Sequence, residues 1–259
     1  MKPLLEIRDV SLSYHTSAGE TPALSHLTFD LMPGEFLAVV GPSGCGKSTL
    51  LNLVCGLLSA EEGTILMNDT VPSPGDPRIG YMLQKDHLLE WRTIYQNVTL
   101  GLEIRRELTP AKLKYIEEML CTYGLDKFRN ARPSQLSGGM RQRAALIRTL
   151  ALKPELLLLD EPFSALDYQT RLNVSDDIGR ILKKERKPAI LVTECVHFPV
   201  TCTSTYAKYK VGQHRLTFYC VKYFRMILDR IQLLICIFSN SYRTVCCMCS
   251  NLESRCRFG

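Results

Sequence analysis

The chain has 259 residues, of which 46% are hydrophobic and 22% charged. This composition fits a soluble globular protein, with enough length for one large domain or two small ones. No apolar run approaches the ~18 residues of a membrane-spanning helix, and the first residues lack the apolar stretch of a signal peptide. We therefore expect a protein that is made and kept in the cytoplasm, where disulfides are rare.

Charge and cysteine are distributed unevenly along the chain. Residues 1–194 contain 23 Lys and Arg against 24 Asp and Glu, whereas residues 195–259 contain 9 against 2. Eight of the 11 cysteines also lie after residue 194. The last quarter of the chain is therefore expected to differ from the rest.

Two strands, and then a strand–loop–helix unit, are predicted for the first 60 residues. Residues 4–14 and 24–31 show the alternation of half-buried strands, with a polar turn over residues 15–21 between them. The apolar run over residues 35–40 is typical of a buried strand, and residues 50–58 favour a helix.

The loop between that strand and that helix reads Gly-Pro-Ser-Gly-Cys-Gly-Lys-Ser-Thr. Glycines let a backbone wrap closely around an anion, while amide groups and the helix N-terminus point at it. We expect Lys47 to contact the β- and γ-phosphates of a nucleotide and Ser48 to offer its hydroxyl to Mg²⁺. The alternative is an ordinary turn before a helix. The residues predicted to bind the nucleotide here are Gly41, Pro42, Ser43, Gly44, Cys45, Gly46, Lys47, Ser48 and Thr49.

Short strands over residues 64–68 and 79–83 are predicted next, separated by a proline-rich loop. From about residue 86 to residue 152, leucine, isoleucine and methionine recur at helical spacing. We expect this helical insert to contain helices over residues 93–105 and 109–123, and then a Gly-Gly turn that runs into a third helix.

A second apolar run, residues 154–162, ends in two carboxylates. Uninterrupted apolar runs are typical of strands that are buried on both faces of a parallel sheet. Asp160 can hold Mg²⁺ through water, and Glu161 can accept a proton from an attacking water; a solvated turn is the alternative. A helix over residues 168–186 and a strand over residues 188–193 then complete the alternation that predicts a parallel α/β sheet.

Taken in order, these motifs resemble those of the ATP-binding subunits of ATP-binding-cassette (ABC) transporters, over about residues 4–193. The most specific stretch is Leu136-Ser-Gly-Gly-Met-Arg-Gln-Arg143, which is similar to the signature motif of that family. The resemblance implies a P-loop NTPase parallel-sheet core with an N-terminal antiparallel β subdomain and the helical insert. Further matches are Tyr14 to the aromatic residue that stacks on adenine, Gln84 to the Q-loop, Leu156–Glu161 to the Walker B motif and Ser164–Asp167 to the D-loop.

The resemblance also implies how the site is completed. Gln84 would contact the metal and the attacking water, unless it is a surface amide. Tyr14 would stack on adenine, unless it belongs to the core. Ser137, Gly138 and Gly139 would bind the ATP of a second copy of the chain, so that a homodimer encloses two ATP molecules with Mg²⁺.

The expected partners follow from the same resemblance. They are the transmembrane permease subunits, which would hold the protein at the cytoplasmic face of the membrane, and an extracytoplasmic solute-binding protein. The helical insert near Trp91 would contact the permease, a buried core position for Trp91 being the alternative. Residues 89–98 are similar to the nitrate, sulfonate and taurine importers. No nucleic acid partner is expected.

The resemblance ends at the C-terminal end of the last predicted strand. Where the family has a histidine that contacts the γ-phosphate, this chain has Glu194, and His197 lies three residues too late to be assigned that role. Loss of such a preorganised group typically costs ~10²–10³ in rate. We therefore expect intact ATP binding and weak hydrolysis.

We interpret residues 1–194 as the ATP-binding domain and residues 195–259 as an out-of-register or replaced C-terminus that folds poorly. The motif loss, the charge shift and the cysteine shift coincide near Thr193. Binding to nucleic acid or anionic lipid is the alternative for this basic segment, whereas the cysteines at residues 246–249 lack the paired Cys-x-x-Cys elements of a zinc site.

Three functions are compatible with these residues. The first is an ATPase subunit that energises import of a small solute. The second is an interaction protein that binds ATP but hydrolyses it poorly. The third is a soluble ATPase of the same fold without a transporter, which copurification with a permease would exclude.

Overall fold

The computed structural model describes residues 2–17, 19–162, 166, 178–182, 184–185 and 187–193, and the backbone alone of residues 205–211 and 214–221. All of these residues belong to one compact unit, residues 1–227. The predictions for residues 163–165, 167–177, 194–204 and 222–259 concern residues outside those that the structure describes.

The N-terminal part forms an antiparallel sheet in the order β2-β1-β4. Its strands are β1 (Leu5–Thr16), β2 (Gly19–Leu31) and β4 (Glu62–Met67). The predicted turn over residues 15–21 is wrong in length, because the β1–β2 ladder continues to Thr16 and Gly19. Backbone pairing thus extends these strands through polar residues whose composition favours a turn.

The second sheet has a parallel centre in the order β5-β6-β7-β3. Its strands are β3 (Phe36–Val40), β5 (Ile79–Met82), β6 (Leu156–Asp160) and β7 (Ala189–Thr193). The carboxyl ends of all four strands therefore meet at one edge, which is where ligands bind in open α/β sheets.

Two antiparallel strands extend this sheet beyond β3. They are β8 (Thr205–Val211) and β9 (His214–Val221), and β9 pairs with β3. The backbones of residues 205–211 and 214–221 thus continue a sheet that the sequence predicts to end at residue 193. The proposed division of the chain at residue 194 stays a prediction.

The α-helices with defined bounds are α1 (Lys47–Val54), α2 (Ile94–Ile104), α3 (Pro110–Thr122) and α4 (Gly138–Leu150). Residues 178–182 and 184–185, within the helix predicted over residues 168–186, are also helical. Two short 3₁₀ helices, Asp126–Phe128 and Pro133–Gln135, lie between α3 and α4. Helix α1 begins and ends earlier than predicted, because the glycines at 46 and 56 bracket it with positive φ. The two glycines of the predicted turn lie inside α4, whose N-cap is Ser137.

The parallel sheet is buried on both faces. Leu156 and Leu158 pack into the core shared with the antiparallel sheet and α1. Leu157 and Leu159 pack into a second core with α2, α3 and α4. Because successive side chains of a strand point to opposite faces, the run of four leucines serves both cores. In the part of the chain that the structure describes, no helix has the length and apolarity to cross a membrane.

Candidate nucleotide and magnesium site

The phosphate-binding loop connects β3 to α1 at the carboxyl edge of the parallel sheet. Gly44 and Gly46 have φ of 75° and 92°, in the left-handed region that favours glycine. Gly46 also leaves no room for a side chain, since a Cβ there would lie 2.4 Å from the carbonyl oxygen of Ala23. The loop can therefore pack this closely against β2 only with glycine at position 46.

Lys47 holds a buried positive charge inside this loop. Its side chain is 4% exposed, and Nζ lies 2.9 Å from the carbonyl oxygens of both Gly41 and Pro42. The ammonium group also lies 3.2 Å from Oε1 of Glu161. A buried ammonium group needs such partners, and here they hold it where the glycine loop can receive phosphate oxygens.

Ser48 and Asp160 bring two oxygen donors together from different elements. The Ser48 hydroxyl donates to Oδ1 of Asp160 at 3.1 Å, which links the first turn of α1 to the end of β6. Hydroxyl and carboxylate oxygens suit Mg²⁺, which keeps several waters and uses phosphate oxygens as further ligands. These residues therefore fit a magnesium ion, which would neutralise charge on the transferred phosphate.

Glu161 and Gln84 face each other across the same edge. The Gln84 amide Nε2 donates to Oε2 of Glu161 at 3.1 Å. Glu161 has φ of 42°, a left-handed conformation that costs roughly 1–2 kcal/mol for a residue with a Cβ. Its own backbone N–H is bound to the carbonyl oxygen of Val192 at 3.0 Å, which helps to hold this conformation.

Tyr14 lies next to the phosphate loop and is not a core residue. Its side chain is 44% exposed, and its hydroxyl lies 3.1 Å from Oγ1 of Thr49. This position leaves surface for a base to stack on, and the stacking role stays a prediction. The neighbouring Cys45 is buried, and burial raises the pKa of its thiol, so we do not assign it reactive chemistry.

The predicted signature residues lie at the start of α4, in the helical insert and away from the loop in sequence. The Ser137 hydroxyl accepts the N–H of Met140 at 3.4 Å and caps the helix. Gly138 packs against Leu166, since a Cβ there would lie 2.8 Å from its Cδ2. Gly139 is buried in the first turn. Their role toward a second ATP stays a prediction.

Comparison with known proteins settles the family. The family described as ABC transporter matches residues 24–164. The ABC transporter ATP-binding protein YtlC of Bacillus subtilis is 43% identical, over 78% of this chain and 77% of its own length. The chain belongs to the ABC transporter ATP-binding proteins.

Other relatives of this ABC ATPase have named solutes. The nitrate transport protein NasD of Klebsiella oxytoca is 39% identical over 76% of each chain. The taurine import ATP-binding protein TauB of Pelagibacter ubique is 42% identical, over 73% of this chain and 72% of its own. These relatives confirm the resemblance to the family that the motifs predict.

Solved structures confirm the predicted fold class of the ABC ATPase. CbiO1 from Clostridium perfringens, part of the ABC transporter complex CbiONQ, superposes with a TM-score of 0.65 at 25% identity, covering 77% of this chain and 82% of CbiO1. The ATP-binding cassette MJ0796, a dimer in a post-hydrolysis state with ADP and Pi, superposes with a TM-score of 0.63 at 28% identity, covering 74% of this chain and 88% of MJ0796.

One cluster next to Gln84 was missed by sequence reasoning. The Asp86 carboxylate accepts two hydrogen bonds from Arg141, one from Nε at 2.8 Å and one from Nη2 at 3.2 Å. Arg148 donates to the backbone carbonyl oxygens of Asp86 and His87. Both arginines lie on α4. The segment that carries Gln84 is thus tied to the helix that begins at the signature motif. The pairing joins positions 55 residues apart, so no local pattern indicates it.

Replacing Arg141 with methionine is expected to lower the free energy of unfolding by about 1–3 kcal/mol, because it leaves a largely buried carboxylate without its partner. Burial alone would raise the pKa of Asp86, but the hydrogen bonds from Arg141 and from the Leu88 N–H outweigh it and hold the pKa below its usual value. Because its pKa is lower in the folded state, the ionised Asp86 carboxylate stabilises the fold above about pH 4. This contribution is lost as the pH falls through the folded-state pKa.

Urea unfolding at pH 7 and at about pH 3 tests this. The difference between the wild type and the Arg141→Met variant should be large at the higher pH and should shrink at the lower one. Arg92→Met is the control, because Arg92 pairs with Glu103 at the surface and should matter much less. Equal effects of the two substitutions would contradict the role of the cluster.

Proposed function

We propose that this ABC ATPase binds ATP with Mg²⁺ and hydrolyses it to energise import of a small solute of the nitrate, sulfonate and taurine class. The observation that carries the proposal is the convergence of one lysine, one hydroxyl, two carboxylates and one amide at the same sheet edge. The names of the relatives NasD and TauB support the solute class.

The chemistry divides among these groups. Lys47 neutralises charge on the phosphates, and Ser48 and Asp160 hold the metal. Glu161 accepts a proton from the attacking water, which is worth typically 10²–10⁴ in rate. Gln84, bonded to Glu161, orients that water and responds to the γ-phosphate.

We propose that the working unit is a dimer of this chain. The N-terminus of α4, with Ser137, Gly138 and Gly139, carries the partial positive charge and free N–H groups that suit a phosphate. It would close the ATP site of the second copy, so that ATP bridges the two subunits and hydrolysis releases them. The dimeric form of the related MJ0796 supports this arrangement.

The proposed contact with a permease lies on the helical insert. Trp91, the one tryptophan of the sequence, is 72% exposed, so a core position does not account for it. Ile104 of α2 is 73% exposed. Exposed large apolar groups of this kind suit a protein interface, and such a contact would hold the ATPase at the cytoplasmic face of the membrane, beneath a permease fed by a solute-binding protein.

Reconstitution with the permease that copurifies with this chain tests the proposal. ATP hydrolysis in proteoliposomes should rise when nitrate or taurine is supplied with the solute-binding protein, and an uncharged sugar should have no effect. Trp91→Ala should reduce this stimulation severalfold and leave the basal rate of the free subunit unchanged. Stimulation by neither nitrate nor taurine would contradict the solute class, and failure to copurify with any permease would contradict the transport role.

The second candidate is an interaction protein that binds ATP and hydrolyses it poorly. The observation that favours it is Glu194, which stands where the family has a histidine. Under this hypothesis Glu194→His should raise the turnover by about 10²-fold, since a preorganised contact to the γ-phosphate is restored. Normal turnover in the wild type, with no gain in the variant, would exclude this candidate.

A further inference from the structure

Both oxygens of the Asp160 carboxylate have partners, and only one of them belongs to the site described above. Oδ1 accepts from Ser48, while Oδ2 lies 3.2 Å from the hydroxyl of Tyr81. Asp160 is 6% exposed, so solvent offers little competition for either oxygen. The direction of this carboxylate is therefore set by two hydroxyl groups, one from α1 and one from β5.

A second side chain of α1 contacts the Tyr81 hydroxyl. This hydroxyl lies 3.2 Å from Oδ1 of Asn52, which follows Ser48 by four residues and so lies on the same face of the helix. Three hydrogen bonds thus join the side chains of residues 48, 160, 81 and 52 in that order, and the backbone of α1 closes them into a ring with the two neighbouring strands β5 and β6. The ring fixes the end of β6 relative to the first turn of α1.

The Tyr81 hydroxyl donates its one hydrogen bond to Asp160. A phenol has one proton to donate, and a charged carboxylate is the stronger acceptor. The Asn52 side chain can turn its NH₂ group toward the Tyr81 oxygen, because an amide presents a donor on one side and an acceptor on the other. The chain of donors then runs from Asn52 through Tyr81 to Oδ2 of Asp160.

We propose that Tyr81 is a positioning residue for the magnesium site, acting through Asp160. The inference rests on the Mg²⁺ site of the proposed function. Without the hydroxyl, Oδ2 would be left buried and unpaired, and the Ser48 hydroxyl alone would orient the carboxylate. Partners that orient a metal-binding carboxylate typically contribute 10–100-fold to metal affinity.

The test compares Tyr81→Phe with Tyr115→Phe. Each variant loses one hydroxyl from a half-buried ring, and the Tyr115 hydroxyl also binds a carboxylate, Glu185, at 3.0 Å, but on other elements. Binding of a fluorescent ATP analogue is titrated with Mg²⁺ and repeated without metal. We expect Tyr81→Phe to need about tenfold more Mg²⁺ for half-maximal enhancement, while binding without metal matches the wild type and Tyr115→Phe responds like the wild type.

Two outcomes distinguish the inference from the function on which it rests. If the wild type shows no Mg²⁺ dependence, the metal site of the proposed function fails. If the wild type shows it and Tyr81→Phe does not differ from Tyr115→Phe, the inference alone is overturned. Adding Tyr81→Phe to Asp160→Asn should shift the Mg²⁺ dependence no further, and an additional shift would contradict action through Asp160.

A second variant covers the case in which Tyr81→Phe does not fold. Asn52→Ala keeps the phenol and removes the group that orients it. It should raise the Mg²⁺ requirement in the same direction by a smaller factor, and an unchanged requirement in this folded variant would overturn the inference.

Discussion

Replacing Glu161 with glutamine is expected to lower ATP turnover by about 10²–10⁴-fold, the usual contribution of a general base, while ATP binding is retained. The amide has the shape of the carboxylate but cannot take a proton from water. It also removes the negative charge that lies 3.2 Å from the Lys47 ammonium group. ATP should therefore bind at least as tightly as in the wild type, because the phosphates no longer compete with a carboxylate for Lys47.

Single-turnover hydrolysis and equilibrium binding of ATP, measured on the same preparation, separate the two effects. Glu155→Gln is the matched control, since Glu155 directly precedes β6 at the opposite end of the strand and accepts from Asn68. It should leave both quantities unchanged. A Glu161→Gln variant that lost binding and hydrolysis in parallel would indicate that Glu161 holds the loop together and is not the base.

Replacing Gly46 with alanine is expected to weaken ATP binding by about 10²-fold. The new Cβ would lie 2.4 Å from the backbone oxygen of Ala23, so either the loop or β2 must move. A displacement of about 1 Å in a catalytic site can lower the rate 10²-fold, and we expect a comparable loss of affinity here because the same loop amides contact the phosphates. The positive φ of 92° adds a strain of roughly 1–2 kcal/mol to the folded state.

Gly34→Ala separates the clash from the strain. Gly34 has a similar φ of 79°, but a Cβ there would meet nothing within 4 Å, and the residue lies before β3 and outside the loop. Thermal unfolding should therefore show a loss of stability in both variants, whereas titration with an ATP analogue should show weaker binding only in Gly46→Ala. Wild-type affinity in Gly46→Ala would contradict the tight packing of the loop on β2.

Local patterns predicted the elements that build the site. The run of four leucines in β6 predicts a strand buried on both faces, and its alternation between two cores is the physical reason. Thr93 and Thr109 cap α2 and α3 at the predicted starts. Prediction was weaker where backbone pairing decides the outcome, as in the extension of β1 and β2 through polar residues and in the pairing of β9 with β3.

Glycine spacing and apolar periodicity are local signals, so they were sufficient to predict the fold class and the candidate residues at the sheet edge, while the resemblance of the motifs indicated the family. Which of these groups contact one another depends on the packing of distant segments. The hydrogen bond from the Glu161 N–H to Val192, the ring through Tyr81 and Asn52, and the pairing of Asp86 with Arg141 all join segments that lie far apart in sequence. Such contacts depend on how α1, α4 and the strands pack, and no spacing within one segment encodes them.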